Sequence, residues 1–175
     1  MLALEEMRMN NTLKFILLTF FTLLFCACSK YNITVYFSPD LKEEYGYYPS
    51  LELDIVGVNE SEKRWLENYK IDTYFEVDNP LRKSLEPYTI HFSSNKEPEQ
   101  LFSEHEKQWK AWNKKGFTDL IVLVNLPGLD DNARKIMKSI KPTDIKSYFL
   151  RKTHYYIELR PTGLTFIDSK PSYDK

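Results

Sequence analysis

The alternation of apolar and polar residues after position 30 predicts a chain built mostly from β-strands. Apolar and polar side chains alternate over 32–38 and 51–58, and again over 88–92. This period of two is typical of strands that bury one face. The run 120–124 is apolar at every position, as expected for a central strand that is covered on both faces.

The second strand shows how its two faces should divide. Leu51, Leu53 and Ile55 are expected to face the core. Because side chains alternate across a strand, Glu52 and Asp54 should face the solvent. Near the end of the chain, two further strands, 155–160 and 164–167, flank Pro161-Thr-Gly163 and predict a β-hairpin with Gly at a position of positive φ.

Helical patterns are fewer. The strongest covers 98–115, with Pro98 suited to a first turn and Gly116 as a stop signal. Its large side chains recur at helical spacing and should pack on the sheet: Leu101, Phe102, His105, Trp109 and Trp112. Shorter helices or turns are predicted over 62–69, from Asn79-Pro80, and over 131–138.

Roughly six to eight strands with helical insertions predict a mainly β fold, most simply an antiparallel β-sandwich. A two-layer α+β arrangement is the alternative. No linker, repeat or charge block divides the sequence after position 27. Residues 28–175 are therefore expected to form a single domain.

The N-terminal residues have the layout of a secretory signal peptide. Arg8 and Lys14 precede the apolar run 15–25, which ends at small residues and cysteine. These 11 residues are too few for a membrane-spanning helix, which takes roughly 20. We therefore expect residues 1–27 to be an export signal, with Met7 or Met9 as the true start.

Cys28 resembles the modified cysteine of bacterial lipoproteins. In their lipobox a small residue precedes this cysteine, as Ala27 does here, whereas Cys26 follows the bulky Phe25. The resemblance implies that acyl chains on Cys28 tether the domain to a membrane. Ser29, in place of the aspartate that retains lipoproteins at the inner membrane, favours the periplasmic face of the outer membrane. An ordinary secretory signal with two incidental cysteines is the alternative.

Composition argues against several classes of partner and reaction. The formal net charge is −1 with no cluster of Lys and Arg, so nucleic acid is not an expected partner. No phosphate-binding glycine loop or nucleophile elbow is present, and His91, His105 and His154 lack metal-ligand spacing. We expect no enzyme activity, metal or cofactor, although a pair of carboxylates from distant positions stays open.

The segment between the first two strands is the best candidate for a binding site. Residues 38–50 contain Tyr45, Tyr47 and Tyr48 together with one Gly and two Pro. Aromatic residues on an exposed connection are typical anchors for a protein partner. The alternative is that these tyrosines fold back over the end of the sandwich.

The start of the mature chain resembles the TssJ-type lipoproteins of type VI secretion. The resemblance rests on the lipobox cysteine, on Ser38-Pro-Asp-Leu41 after the first strand, on Gly46, and on the strand led by Pro49-Ser50. A terminal hairpin of similar size also fits. It implies a small transthyretin-like β-sandwich, tethered to the outer membrane, that holds the inner-membrane protein TssM partly through the loop between the first two strands.

By that resemblance the docking surface would comprise Pro39, Asp40, Leu41, Tyr45, Tyr47 and Tyr48. A different class of protein remains open beside it. An unrelated lipoprotein could bind a small ligand or a glycan, because sugars stack on aromatic faces. Its pocket would be lined by Trp65, Trp109 and Trp112.

Overall fold

The computed structural model describes residues 31–93, 98–140 and 153–172, and the predicted signal peptide and Cys28 lie outside them. The strands are β1 (Tyr31–Phe37), β2 (Leu51–Val58), β3 (Tyr88–Phe92), β4 (Glu99–Phe102), β5 (Asp119–Val124), β6 (Lys135–Ser139), β7 (Thr153–Arg160) and β8 (Gly163–Ile167). The helices are α1 (Pro39–Tyr45), α2 (Glu60–Glu67), α3 (Ile71–Tyr74), α4 (Pro80–Leu85) and α5 (Lys107–Lys114).

The strands form two four-stranded sheets that pack face to face. Sheet 1 has the order β4-β1-β7-β8, and sheet 2 has the order β3-β2-β5-β6. All neighbouring pairs are antiparallel except β1 and β7, which run parallel. The predicted mainly β sandwich is confirmed, and so is the terminal hairpin, in which Gly163 has a φ of 123°.

The alternating residues of both sheets meet in one apolar core. On sheet 1, Ile33, Val35 and Phe37 are buried, as the pattern predicted. They pack in the same cluster as Leu53 and Ile55 of sheet 2. Removal of this apolar surface from water is the main source of stability of the domain.

A second apolar cluster covers the outer face of sheet 2. The side chains come from α2, α3 and α4 on one side and from β2 and β5 on the other: Val56, Val58, Leu66, Ile71, Tyr74, Leu85, Ile121 and Leu123. This second layer explains why residues 120–124 of β5 are all apolar. It also makes the expectation for Asp54 wrong, because that residue lies beneath the helices and is completely buried.

The helix predicted over 98–115 is wrong in its first half. Residues 99–102 form strand β4, and only 107–114 are helical. Leu101 is exposed while Phe102 is fully buried, which is the alternation of a strand and not of a helix. His105 lies on the turn between the two elements, so the predicted stripe divides between them. In the segment 131–138, residues 131–134 form a turn, as expected, whereas 135–138 belong to strand β6.

Candidate partner-docking surface

The segment that the sequence suggested as a loop begins with a short helix, α1. Ser38 is its N-cap, and its side-chain oxygen accepts a hydrogen bond from the Asp40 backbone N–H at 3.1 Å. Pro39 occupies the first turn, where its missing N–H has no cost. Gly46 ends the helix in the left-handed conformation, with φ of 76°.

Leu41 fixes α1 to the sandwich. Its side chain has 0% exposure and belongs to the core between the sheets. Leu41 therefore presents no surface of its own to a partner, although the resemblance included it in the docking set. Pro39 is half-buried beside it, and Asp40 is exposed.

The three tyrosines divide between the two alternatives that the sequence left open. Tyr45 and Tyr47 are exposed by 37% and 60%. Tyr48 instead folds back and is half-buried, with its ring 5.8 Å from that of Phe37. Phe37 in turn stacks on Phe92 at 4.2 Å, so Tyr48 belongs to an aromatic stack that continues into the core.

A shallow cleft of about 420 Å³ opens beside this segment. Its lining comes from the start of β2, the end of β3 and the connection after β5: Ser50, Leu51, Glu52, His91, Phe92, Asn125 and Pro127. His91 Nδ1 lies 3.4 Å from Glu52 Oε1 at its edge. Sequence reasoning missed this cleft because three distant segments form it.

The topology places α1 and the cleft at one end of the sandwich. Strand β1 begins at Tyr31 and leads directly into Ser38 and α1. Seven residues of strand span roughly 20 Å. Tyr31 marks the end of the domain that is joined to Cys28. The exposed tyrosines therefore lie at the opposite end.

The three tryptophans do not form the pocket considered for a glycan. Trp112 is fully buried and Trp109 is 5% exposed. The Trp109 ring stacks on Phe102 at 4.7 Å, and the two indoles meet edge to face at 5.2 Å. Trp65 is 69% exposed on α2, outside both apolar clusters. Neither buried indole offers a free face on which a sugar could stack.

The described residues hold few features of a catalytic or metal site. Among them, no group of three or more His, Cys, Asp or Glu side chains is placed to hold a metal ion. His154 Nε2 lies 2.7 Å from Thr34 Oγ1 and its ring stacks on Tyr156, while His91 and His105 point into solvent. Of the helices in the described ranges, none is long and apolar enough to cross a membrane.

Comparison with known proteins gives matches in structure alone. No family model matches the sequence, and no curated protein matches it. Serratia marcescens Lip, a membrane-bound component of the type VI secretion system, has a TM-score of 0.54 at 9% identity, covering 81% of this chain and 99% of that one. The lipoprotein TssJ1 of Pseudomonas aeruginosa has a TM-score of 0.52 at 13% identity, covering 83% and 98%.

A third match comes from the structure of the TssM C-terminal domain of the same secretion system from EAEC. It has a TM-score of 0.54 at 11% identity and covers 78% of this chain and 98% of that one. The chain thus shares its fold with solved components of the type VI secretion system. Its fold is that of the TssJ-type lipoproteins, as the resemblance predicted.

Proposed function

We propose that this protein is a lipid-anchored, non-enzymatic component of a type VI secretion membrane complex. In this proposal residues 39–50 dock a TssM-like inner-membrane protein. The support is a fold that matches Lip and TssJ1 over nearly their whole length. The single observation that carries the docking role is the exposure of Tyr45 and Tyr47 on a segment whose helix is held in place by the buried Leu41.

A fixed aromatic platform suits protein recognition. The caps of α1 and the buried side chain of Leu41 order the backbone before any partner arrives. Little conformational entropy is then lost on binding. Tyrosines that stand exposed on such a surface are typical centres of binding energy.

The position of the anchor agrees with this role. With acyl chains on Cys28, the Tyr31 end of the sandwich would face the membrane that carries the protein. Tyr45 and Tyr47 would then point away from that membrane, toward a partner that reaches across the periplasm. More than one acyl chain makes such an anchor stable. We place the protein on the periplasmic face of the outer membrane.

Affinity purification of the intact lipoprotein from detergent-solubilised envelopes tests the docking role. We expect a large inner-membrane protein to copurify with the wild type. It should be lost from the Tyr45→Ala, Tyr47→Ala double variant, because both rings that carry the contact are removed. Trp65→Ala is the matched control, since it removes an exposed aromatic ring from α2.

Three results would contradict the docking proposal. The first is the absence of any specific partner with the wild type. The second is equal loss of the partner in the tyrosine variant and in the Trp65 variant, because this would point to a general effect of exposed aromatic residues. The third is retention of the partner by the tyrosine variant, which would remove residues 39–50 from the interface.

A further inference from the structure

A stripe of three lysines lies along α5. Lys107, Lys110 and Lys114 are spaced by three and four residues, so they share one side of the helix. All three are exposed, while Trp109 and Trp112 on the opposite side are buried. The helix therefore carries positive charge on the side that faces away from the core.

Helix α5 closes the end of the sandwich at which β1 begins. The Trp109 ring lies 5.7 Å from the ring of Tyr31, the first residue of that strand. The Trp112 ring lies against Gly57, close to the end of β2. Since β2 runs away from α1, its end lies on the same side of the domain as Tyr31. The lysine stripe is thus at the end opposite to Tyr45 and Tyr47.

Among the described residues, no carboxylate lies within ion-pair distance of any of the three lysines, although Glu106 directly precedes Lys107 at the start of the helix. The nearby Lys115, by contrast, lies 3.7 Å from Glu86 and 3.9 Å from Glu62. The Glu104 side chain, on the turn before α5, is only 4% exposed. A negatively charged surface would therefore complement this face.

The predicted anchor would hold this end very close to a bilayer. Tyr31 is the third residue after Cys28, and three residues of chain reach at most about 10 Å. This reach is about one Debye length at 0.1 M salt. Charges at this end of the domain would therefore interact with charged lipid headgroups.

We propose that Lys107, Lys110 and Lys114 rest on anionic phospholipid headgroups of the membrane that holds the anchor. The proposal rests on lipidation of Cys28 in the proposed function. An acyl anchor fixes the distance of the domain from the membrane but leaves its tilt free. The lysines fix the tilt, so that α1 is turned away from the bilayer. Each lysine near an anionic surface favours this orientation by roughly fivefold.

The reactivity of two exposed histidines in the same molecule can report how the domain is oriented on the membrane. His105 precedes α5, at the end proposed to face the membrane, and His91 lies on β3 at the opposite end. The full-length lipidated protein is reconstituted in vesicles of phosphatidylcholine alone or mixed with phosphatidylglycerol. It is then treated with diethyl pyrocarbonate, and the modification of each histidine is followed by mass spectrometry.

We expect phosphatidylglycerol to slow the modification of His105 at least about fivefold and to leave that of His91 unchanged. The protection should be lost at about 1 M salt, where the Debye length falls to about 3 Å. It should also be weakened in a Lys110→Gln, Lys114→Gln variant, which keeps only Lys107 of the stripe. The matched control, Lys42→Gln with Lys83→Gln, removes two exposed lysines elsewhere and should keep the protection.

Equal reactivity of His105 in the two kinds of vesicle would overturn the proposal. Undiminished protection in the Lys110→Gln, Lys114→Gln variant would also overturn it. The anchor is tested separately, by the mass of the peptide that contains Cys28 and by retention of the protein on vesicles during a salt wash. An anchored protein with an unprotected His105 contradicts the orientation alone, whereas an unmodified Cys28 contradicts the proposed anchoring and the orientation together.

Discussion

The guanidinium group of Arg82 holds both carboxylate oxygens of Asp54. Its Nε donates to Asp54 Oδ2 at 2.7 Å, and its Nη2 donates to Oδ1 at 3.1 Å. The hydroxyl groups of Tyr74 and Thr89 complete the site, donating to Oδ2 at 2.9 Å and to Oδ1 at 2.6 Å. A carboxylate with no exposure is thus satisfied by α3, α4 and β3 together, and it joins the helical layer to sheet 2.

Arg82→Met should destabilise the domain by roughly 3 kcal/mol, because it leaves the charge of Asp54 buried without its cation. The loss is measured by urea denaturation of the folded domain. Arg64→Met is the matched control: Arg64 forms an exposed pair with Glu60 at 3.5 Å, and exposed pairs contribute less than about 1 kcal/mol. Equal losses in the two variants would contradict a structural role for the Asp54 site.

The stability of the folded domain should fall in alkaline solution because the Tyr74 phenol ionises more readily in the unfolded chain. Burial, and next the Asp54 carboxylate, raise the pKa of this phenol above its ordinary value of 10.0. The unfolded chain can then lose the proton while the folded chain keeps it. Stability present below pH about 10 is therefore lost as the pH rises beyond it.

Tyr74→Phe should flatten this alkaline decline, although it lowers stability at neutral pH through the lost hydrogen bond. Urea denaturation at several pH values between about 9 and 11 measures the slope. Tyr47→Phe, at an exposed position, should keep the slope of the wild type. The prediction fails if the Tyr74 variant and the wild type lose stability in parallel over this range.

Gly57→Ala should destabilise the core by about 1–3 kcal/mol, as overpacking does. A Cβ at this position would lie 2.7 Å from carbons of the Trp112 ring. A double variant with Trp112→Phe provides the test, because the smaller ring gives the methyl group room. We expect the double variant to be more stable than the sum of the single effects allows, and a purely additive result would contradict the steric explanation.

Substitution of Tyr47 should affect partner binding, whereas substitution of Tyr48 should affect the stability of the domain. Tyr48→Ala removes a ring packed on Phe37 and should lower the unfolding free energy by more than 1 kcal/mol. Tyr47→Ala should change it by less than about 0.5 kcal/mol and should weaken partner capture instead. Thermal unfolding and affinity purification of both variants decide this. A destabilised Tyr47 variant would contradict the proposed division.

The strands were predictable where the pattern of apolar residues shows which faces are buried. Ile33, Val35 and Phe37 reveal β1 by simple alternation, and β5 is recognisable because both of its faces are covered. The segment 98–115 shows the limit of this reasoning. Its large residues fit a helical period by chance, and only pairing with β1 makes 99–102 a strand. Asp54 was misplaced because a polar residue in an alternating strand gives no sign that helices cover it.

The candidate site was predictable in part. The sequence identified the tyrosine-rich segment but not its helix, although Ser38, Pro39 and Gly46 are ordinary signals for a helix start and stop. The burial of Leu41 and Tyr48 depends on contacts with the core. The cleft between β2 and β3, and the placement of the α5 lysines at one end, follow from tertiary structure alone.

The parallel pairing of β1 with β7 also determines the order of events during folding. Thr34 and His154, which contact each other across this pair, are 120 residues apart in the chain. Contacts of such long range close large loops and slow the search for the native state. Sheet 2 has all its strands once Ser139 is present, whereas the β1–β7 pair of sheet 1 also needs a strand that ends at Arg160. Strand β1 can therefore pair with β4 early, but it gains its second neighbour only near the end of the described chain.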